Sequence, residues 1–197
     1  MDDAVLRSLV KWPNVPAAYG WLALDRRGNW SIKGERIANR TVIDFIGRNY
    51  SCDARGRWFF QNGPQRVFVS LAYTPYVVRT EPSADGLLLR THTGALLEPG
   101  SAWLDDSGNL LLGIGDAVAV VHDQDLGEAL DCLQRAVGAP LTDAELEAML
   151  NNDNLPGDLV LALGGVVRPL GRVVASAVAR RFGFDPNPRP DPGEPEC

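Results

Sequence analysis

Residues 53–63, Asp-Ala-Arg-Gly-Arg-Trp-Phe-Phe-Gln-Asn-Gly, carry the turn-and-hairpin pattern that decides the fold. Residues 105–115, Asp-Asp-Ser-Gly-Asn-Leu-Leu-Leu-Gly-Ile-Gly, repeat the pattern 52 positions later without a gap. In both stretches the aspartate can accept backbone hydrogen bonds at the start of a turn, and the glycine three residues later supplies a positive φ. The apolar runs beside these turns predict the strands of antiparallel hairpins.

A third copy of the turn begins at Asp25, with Gly28 and Trp30 in the matching places. Duplication of a helix-plus-hairpin unit would explain the repeat, and so would independent use of a common turn, because short motifs discriminate weakly. In either case we predict an α+β fold with antiparallel hairpin-rich sheets, a repeated helix-plus-hairpin motif and a few short helices.

Helix signals stand between and after the hairpins. We predict a helix over 2–11 with Asp2 or Asp3 as its cap. Further helices are predicted from the cap Asn39 to Arg48, from the cap Asp123 to Val137, and over 143–151. The last of these begins at the capping box Thr142-Asp143-Ala144-Glu145.

Two C-terminal segments leave alternatives open. Residues 159–173 contain Gly164-Gly165 and Pro169, which favours a hairpin over a kinked helix because glycine and proline weaken helices. Residues 185–197 are rich in proline and could form a polyproline II segment that docks on a partner, although a solvated tail is the simpler expectation. We divide the chain into a first repeat unit (1–80), a second β-rich unit (81–138), a helix-and-hairpin extension (139–184) and a Pro-rich tail (185–197).

Composition limits the function classes. The chain has 197 residues and a formal net charge of −6, which disfavours binding to nucleic acid or to an anionic membrane. Two histidines and three widely spaced cysteines predict no metal site, no cofactor and no disulfide framework. The apolar run 159–179 contains Arg168 and Arg172, which argues against a membrane span. Without a signal-like N-terminus, we expect a cytoplasmic protein.

Several motifs together resemble one family of bacterial proteins. They are Gly28-Asn29-Trp30, Asp53-x-x-Gly56-Arg57-Trp58-Phe59, Pro64-Gln65-x-Val67-x-Val69, Thr74-Pro75-Tyr76-Val77 and Leu89-Arg90-Thr91-x-Thr93-Gly94. This order is similar to that of the domain-of-unknown-function 1285 family over about residues 19–135. The resemblance implies an α+β fold with repeated motifs and a role in signal transduction, and it carries over no catalytic residue.

One stretch of the sequence stands out as a candidate ligand or partner surface. It is locally basic in an acidic chain and mixes long polar side chains with aromatic ones, which suits an anionic metabolite or an acidic partner segment. Ordinary solvated arginines at strand ends are the competing explanation. The residues are Arg48, Asn49, Tyr50, Arg57, Gln61, Asn62 and Arg66.

Weaker candidates are His92, His122 and Asp116. Asp116 follows Gly113-x-Gly115, which we interpret as a hairpin turn because a strand, and not a helix, comes next.

From these observations together we predict a non-catalytic module that binds a small ligand or a protein partner and acts in signalling or regulation. The alternative is a hydrolase-like enzyme that uses His92 or His122 in an unfamiliar site.

Overall fold

The computed structural model of this chain describes residues 1–12, 14–83, 86–98, 100–145, 147, 157–163 and 166–193. It contains two compact units. The first consists of Met1–Pro75, His92–Gly94 and Ala179–Cys197, and the second of Tyr76–Thr91 and Ala95–Val178. The division into 1–80, 81–138, 139–184 and 185–197 stays a prediction.

The first unit contains helices α1 (Asp3–Lys11) and α2 (Arg40–Arg48). Its strands are β1 (Ala18–Leu24), β2 (Trp30–Ile32), β3 (Glu35–Arg36), β4 (Tyr50–Cys52), β5 (Trp58–Asn62) and β6 (Gln65–Leu71). Among the described residues these six strands form one sheet in the order β3-β2-β1-β6-β5-β4. The central pair, β1 and β6, is parallel, and the neighbouring pairs are antiparallel.

The second unit carries strands β7 (Tyr76–Ser83), β8 (Gly86–Thr91), β9 (Leu96–Leu97), β10 (Ala102–Asp105), β11 (Leu110–Ile114), β12 (Ala117–Val121), β13 (Leu133–Arg135), β14 (Leu159–Leu163) and β15 (Val166–Val173). In the described ranges these nine strands follow the order β13-β14-β15-β10-β11-β12-β7-β8-β9. Helix α3 (Leu126–Leu130) lies in this unit, and α4 (Val178–Arg181) begins at its end.

Each unit buries aliphatic and aromatic side chains against its own sheet. Trp30, Phe68 and Ile46 are fully buried in the first unit, and Leu104, Leu111 and Leu161 in the second. At about 1.5–3 kcal/mol for each large apolar side chain removed from water, these side chains supply much of the driving force for folding. Helices and largely antiparallel strands occupy separate stretches of the chain, which confirms the predicted α+β class. No helix in the described part of the chain is long and apolar enough to cross a bilayer.

The three predicted Asp-x-x-Gly turns share one hydrogen-bonding scheme. In each, the Oδ1 atom of Asp25, Asp53 or Asp105 accepts from the backbone N–H groups two and four residues later, at 2.8 to 3.0 Å. Gly28, Gly56 and Gly108 have φ values of 79°, 76° and 80°, which glycine adopts at no steric cost.

The six strands β3-β2-β1-β6-β5-β4 and the strands β9-β8-β7-β12-β11-β10 are paired in the same order, with a central parallel pair in each set. Duplication of one unit would explain this agreement, and it stays a prediction.

Several local predictions hold. Asn39 caps α2, because its Oδ1 accepts from the Val42 N–H at 3.3 Å. The hairpin interpretation of 159–173 is confirmed, since β14 and β15 pair antiparallel from Val160–Pro169 to Leu163–Val166. Its predicted turn at Gly164-Gly165 lies outside the described residues. The capping box forms, with Glu145 N–H donating to Thr142 Oγ1 at 3.3 Å and Thr142 N–H to Glu145 Oε2 at 2.9 Å. The rest of the predicted helix, at 146 and 148–151, lies outside the described residues.

Two other local predictions are wrong. Asp2 occupies the N-cap position of α1 but makes no capping bond, because its carboxylate receives hydrogen bonds from Arg48 and Asn49. The helix predicted from Asp123 to Val137 ends at Leu130, since Leu133–Arg135 pairs with β14. His122, and not the predicted Asp123, caps the 3₁₀ turn Asp123–Asp125 that precedes α3, because its Nδ1 accepts from the Gln124 N–H at 3.1 Å.

Candidate functional site

A β-bulge interrupts the parallel pairing of β1 with β6. Ala18 pairs with Val67 and Leu22 with Val69, so four steps along β1 match two steps along β6. Gly20 lies within the extra segment, is exposed, and has φ +68°. A Cβ atom added there would have no neighbour within 4 Å. The bulge therefore opens a space beside β6, and bulges of this kind are over-represented next to active sites.

Aromatic rings line the sheet face beside this space. Tyr19 stacks on Phe68 with ring centroids 4.6 Å apart, and Phe59 meets Phe68 edge to face at 5.9 Å. Two arginines cover this cluster: the Arg57 guanidinium lies 4.6 Å from the Phe68 centroid, and that of Arg66 lies 4.8 Å from the Phe59 centroid. The stacked aromatic rings thus form one side of the space, and the two guanidinium groups make cation–π contacts with them.

Residues 185–191 dock on the same unit, contrary to the expectation of a solvated tail over 185–197, of which 194–197 lie outside the described residues. The Asp185 N–H donates to Gly56 O at 2.9 Å, and the Leu71 N–H donates to Pro186 O at 2.8 Å. Farther along, the Asp191 carboxylate accepts a hydrogen bond from Arg55. Pro188 is buried against the unit. The prolines favour this ordered path because they limit the freedom that the unfolded segment loses on docking.

Between the bulge and the docked segment lies an open cleft of about 480 Å³, which we call the bulge cleft. Its lining residues are Tyr19, Gly20, Ser70, Asn187, Pro188, Arg189 and Pro190. Its volume falls within the usual range for small-molecule sites, about 300–1,000 Å³. The Ser70 hydroxyl, the Asn187 side-chain amide and the Arg189 guanidinium have no hydrogen-bond or ion-pair partner among the residues that the structure describes. Three residues that line the cleft thus have polar side chains that can still form hydrogen bonds.

Ion pairs hold the segment that forms one side of the cleft. The Arg55 side chain donates to Asp191, which lowers the pKa of that carboxyl below its usual value, and Arg57 Nη1 lies 4.0 Å from the same carboxylate. Burial by itself would raise the pKa of Asp53, but hydrogen bonds from the side chain and the backbone of Arg57 lower it. Both carboxylates are therefore charged at neutral pH and neutralise the two arginines.

The structure distributes the sequence-predicted surface residues over several places. Arg57 and Arg66 lie on the ring cluster beside the bulge cleft. Arg48 and Asn49 instead meet Asp2: Arg48 Nε lies 3.2 Å from its Oδ1, and the fully buried Asn49 accepts from its N–H at 2.8 Å. These two residues fasten the start of α1 to the end of α2.

The remaining members of that set also have structural partners or lie in a turn. Gln61 is buried, and its Nε2 donates to Gly63 O at 2.9 Å, while Asn62 is exposed and pairs with Gln65 in the hairpin. The Tyr50 hydroxyl donates to Pro75 O at 3.0 Å.

The weaker candidates do not line the bulge cleft. His92 is half-buried, with its ring 5.3 Å from the Trp30 centroid and 5.8 Å from that of Tyr50. His122 is buried in the second unit, and its Nδ1 lies 3.0 Å from Asp123 Oδ1. Asp116 is exposed in the turn between β11 and β12. In the described part of the chain, no three His, Cys, Asp or Glu side chains form a cluster that could hold a metal ion.

Sequence reasoning missed the residues of the bulge cleft. A usable signal was present in Tyr19-Gly20-Trp21, because a single glycine inside a strand pattern often marks a bulge. The sequence Pro188-Arg189-Pro190 also carried a cation between two conformationally restricted residues. What the sequence could not supply was the return of this segment to β1 and β6.

Comparison with known proteins gives a fold and a family of unknown function. A sequence profile of the DUF2944 family, described as "Protein of unknown function (DUF2946)", matches residues 1–189. No curated protein matches the chain. A solved DUF1285 family protein from Silicibacter pomeroyi DSS-3 is similar over 88% of this chain and 97% of its own, with 16% identity and a TM-score of 0.53. A DUF1285 family protein from Shewanella baltica OS155 covers 58% of this chain and 90% of its own, at 15% identity and a TM-score of 0.41.

The first of these likenesses confirms, at the level of the fold, the resemblance to the DUF1285 family that the sequence motifs indicated. Its 88% coverage of the chain is wider than the predicted range of 19–135. Since one fold can serve unrelated functions, the function has to be argued from the site.

Proposed function

Since this chain belongs to the DUF2944 family of proteins of unknown function, we infer its role from its geometry and propose a non-catalytic module that binds a small ligand in the bulge cleft. One observation carries the proposal: three residues that line a cleft of about 480 Å³, namely Ser70, Asn187 and Arg189, have polar side chains without a partner among the described residues. Largely preformed clefts with a few convergent polar groups are the usual form of ligand sites.

The walls of the cleft support binding because they are already ordered. Tyr19 is held by its stack on Phe68, and the docked segment is held by hydrogen bonds to Gly56 and Leu71. A site whose walls need no rearrangement loses less conformational entropy when a ligand binds. We extend the proposal to a regulatory role in the cytoplasm, where the free thiols of Cys52 and Cys132 would persist.

A thermal-shift screen of the full chain against metabolites tests the proposed function. A ligand at about 100 times its dissociation constant adds about 2.7 kcal/mol to the free energy of unfolding, which raises the melting temperature measurably. The discriminating variant is Ser70→Phe, which fills the cleft from β6. The matched control is Ser51→Phe, which adds the same ring on β4 at a position that does not line the cleft.

We expect a ligand to stabilise the natural chain and the Ser51→Phe variant but not the Ser70→Phe variant. Loss of stabilisation in the Ser70→Phe variant alone supports the proposal, provided that this variant still melts cooperatively. Equal stabilisation of all three proteins would contradict it, because the ligand would then bind elsewhere.

A further inference from the structure

The ligand that the bulge cleft fits is a small anion, and this inference rests on the function proposed above. We propose that Arg189 binds a carboxylate or a phosphate monoester through its guanidinium fork, with Ser70 and Asn187 donating to the same oxygen atoms. These two ligand classes share the chemistry that matters here, a planar or tetrahedral group of anionic oxygens.

The docked segment holds Arg189 over the cleft. The segment is fixed before Arg189 by the hydrogen bond to Pro186 O and after it by the ion pair of Asp191 with Arg55. Pro188 is buried and Pro190 half-buried, whereas Arg189 between them is exposed. Proline fixes φ near −65°, so the backbone that carries this side chain is restricted on both sides. An arginine with a pre-ordered backbone loses less entropy when it binds a ligand.

Among the residues that line the cleft, Arg189 is the one with a charged side chain. Arg57 is paired with Asp53 at 2.8 Å, and Arg55 is paired with Asp191. Arg189 makes no ion pair with any residue in the described ranges. The lining of the cleft therefore carries one positive charge in a chain whose net charge is −6. An anion would gain from this local field, which the remote acidic surface opposes only weakly at physiological salt.

The other lining groups match the same chemistry. Ser70 supplies a hydroxyl donor and Asn187 an amide donor, and neither has another partner among the described residues. Gly20 brings the backbone of the bulge to the cleft without a side chain in the way. A guanidinium fork binds two anionic oxygens at once, which a lysine ammonium cannot do in the same geometry. The arrangement thus favours a ligand with two anionic oxygens, such as a carboxylate or a phosphate monoester, over a neutral ligand.

The test is a titration of the full chain followed by ¹H–¹⁵N correlation spectra, with three probes of similar size: benzoate, phenyl phosphate and the neutral benzamide. The reporters are the backbone amides of Gly20 and Ser70 and the Arg189 Nε–H, at constant ionic strength. We expect benzoate or phenyl phosphate to shift these resonances until the site is saturated. Benzamide should bind at least about tenfold more weakly than the tighter anion. The tighter of the two anions identifies the ligand class.

Three variants separate bidentate binding by the Arg189 guanidinium from the general effect of a positive charge on anion binding. We expect Arg189→Gln to weaken anion binding about tenfold or more, and Arg189→Lys to fall between this variant and the natural chain. Arg40→Gln is the control, because it removes a cation from α2 whose side chain is 84% exposed, and it should change binding less than about twofold. Slow hydrogen exchange of the Leu71 amide in Arg189→Gln would verify that the segment remains docked.

The results distinguish this inference from the proposed function. If benzamide binds the cleft as tightly as the tighter of the two anions, or if Arg189→Gln binds that anion normally, the anion inference is overturned while the cleft remains a ligand site. If none of the probes moves the cleft resonances and the thermal-shift screen also gives no ligand that depends on Ser70, both are overturned.

Discussion

Replacing Gly56 by alanine tests whether the C-terminal segment is docked as described. Gly56 has φ +76°, and a Cβ atom there would lie 2.1 Å from Gly183 O and 3.0 Å from Phe184 Cα. Both neighbours are backbone atoms, so no side chain can move aside to make room. The Gly56→Ala variant must therefore displace the chain at residues 183–186 or distort the Asp53–Gly56 turn.

The expected cost has two parts, and a second variant separates them. An alanine held at positive φ costs about 1–2 kcal/mol. Gly34→Ala carries this part alone, because Gly34 has φ +85° and no atom within 4 Å of the added Cβ. Displacement in Gly56→Ala also breaks the hydrogen bonds to Gly56 O and Pro186 O, at about 1 kcal/mol each. It further loosens Phe184, which is 8% exposed and whose burial is worth about 2 kcal/mol.

We therefore expect Gly56→Ala to lower the free energy of unfolding by about 5 kcal/mol and Gly34→Ala by about 1–2 kcal/mol. Urea unfolding followed by the fluorescence of the five tryptophans gives both values. Hydrogen exchange at the Leu71 amide should accelerate in the first variant only. Equal destabilisation by the two variants, with the Leu71 amide still protected, would refute the close approach of the segment to Gly56.

Three further predictions follow from individual carboxylates. Asp105 is fully buried and Asp25 is exposed, although both accept the same set of hydrogen bonds. In denaturation experiments Asp105→Ala should therefore lower the free energy of unfolding by about 3 kcal/mol and Asp25→Ala by about 1 kcal/mol. Equal losses in the two variants would contradict this expectation. The lowered pKa of Asp191 means that its stabilisation is present at neutral pH and is lost as the pH falls through that pKa. Asp191→Asn should therefore speed exchange of the Leu71 amide at pH 7, and an unchanged rate would count against the ion-pair clamp. Hydrogen bonds from the Thr142 N–H and then from Arg135 lower the pKa of Glu145 to about 2. The carboxyl resonance of Glu145 should therefore titrate with a midpoint near that value, and the midpoint should rise in Arg135→Met. A midpoint near 4.5, the usual value, in the natural chain would refute the capping geometry.

The features that the sequence predicted well are those that local chemistry determines. The Asp-x-x-Gly turns, the Asn39 cap and the Thr142–Glu145 capping box each depend on contacts within about four residues. The hairpin at 159–173 also follows from its central glycines and its apolar flanks. For such elements the hydrogen-bond donors and acceptors lie next to each other in the chain, so their pattern can be read directly.

The features that the sequence did not reveal depend on contacts between distant residues. The spacing of Leu126, Leu130 and Leu133 is helical, yet Leu133 pairs with Leu161 in the sheet, and this pairing outweighs the weak local preference for helix. The parallel pairing of β1 with β6 and the docking of 185–191 on the first unit are likewise non-local. The bulge cleft is built from these two features, which explains why the predicted surface around Arg48 and Asn62 did not include it.

A crystallographic fragment screen of the full chain shows directly whether the bulge cleft binds ligands. We expect bound fragments to gather between Gly20 and Pro188–Pro190, and those with a carboxylate or phosphate to direct it to Arg189. If the bulge cleft stays empty while fragments cluster at another site of the molecule, the proposed binding site is wrong.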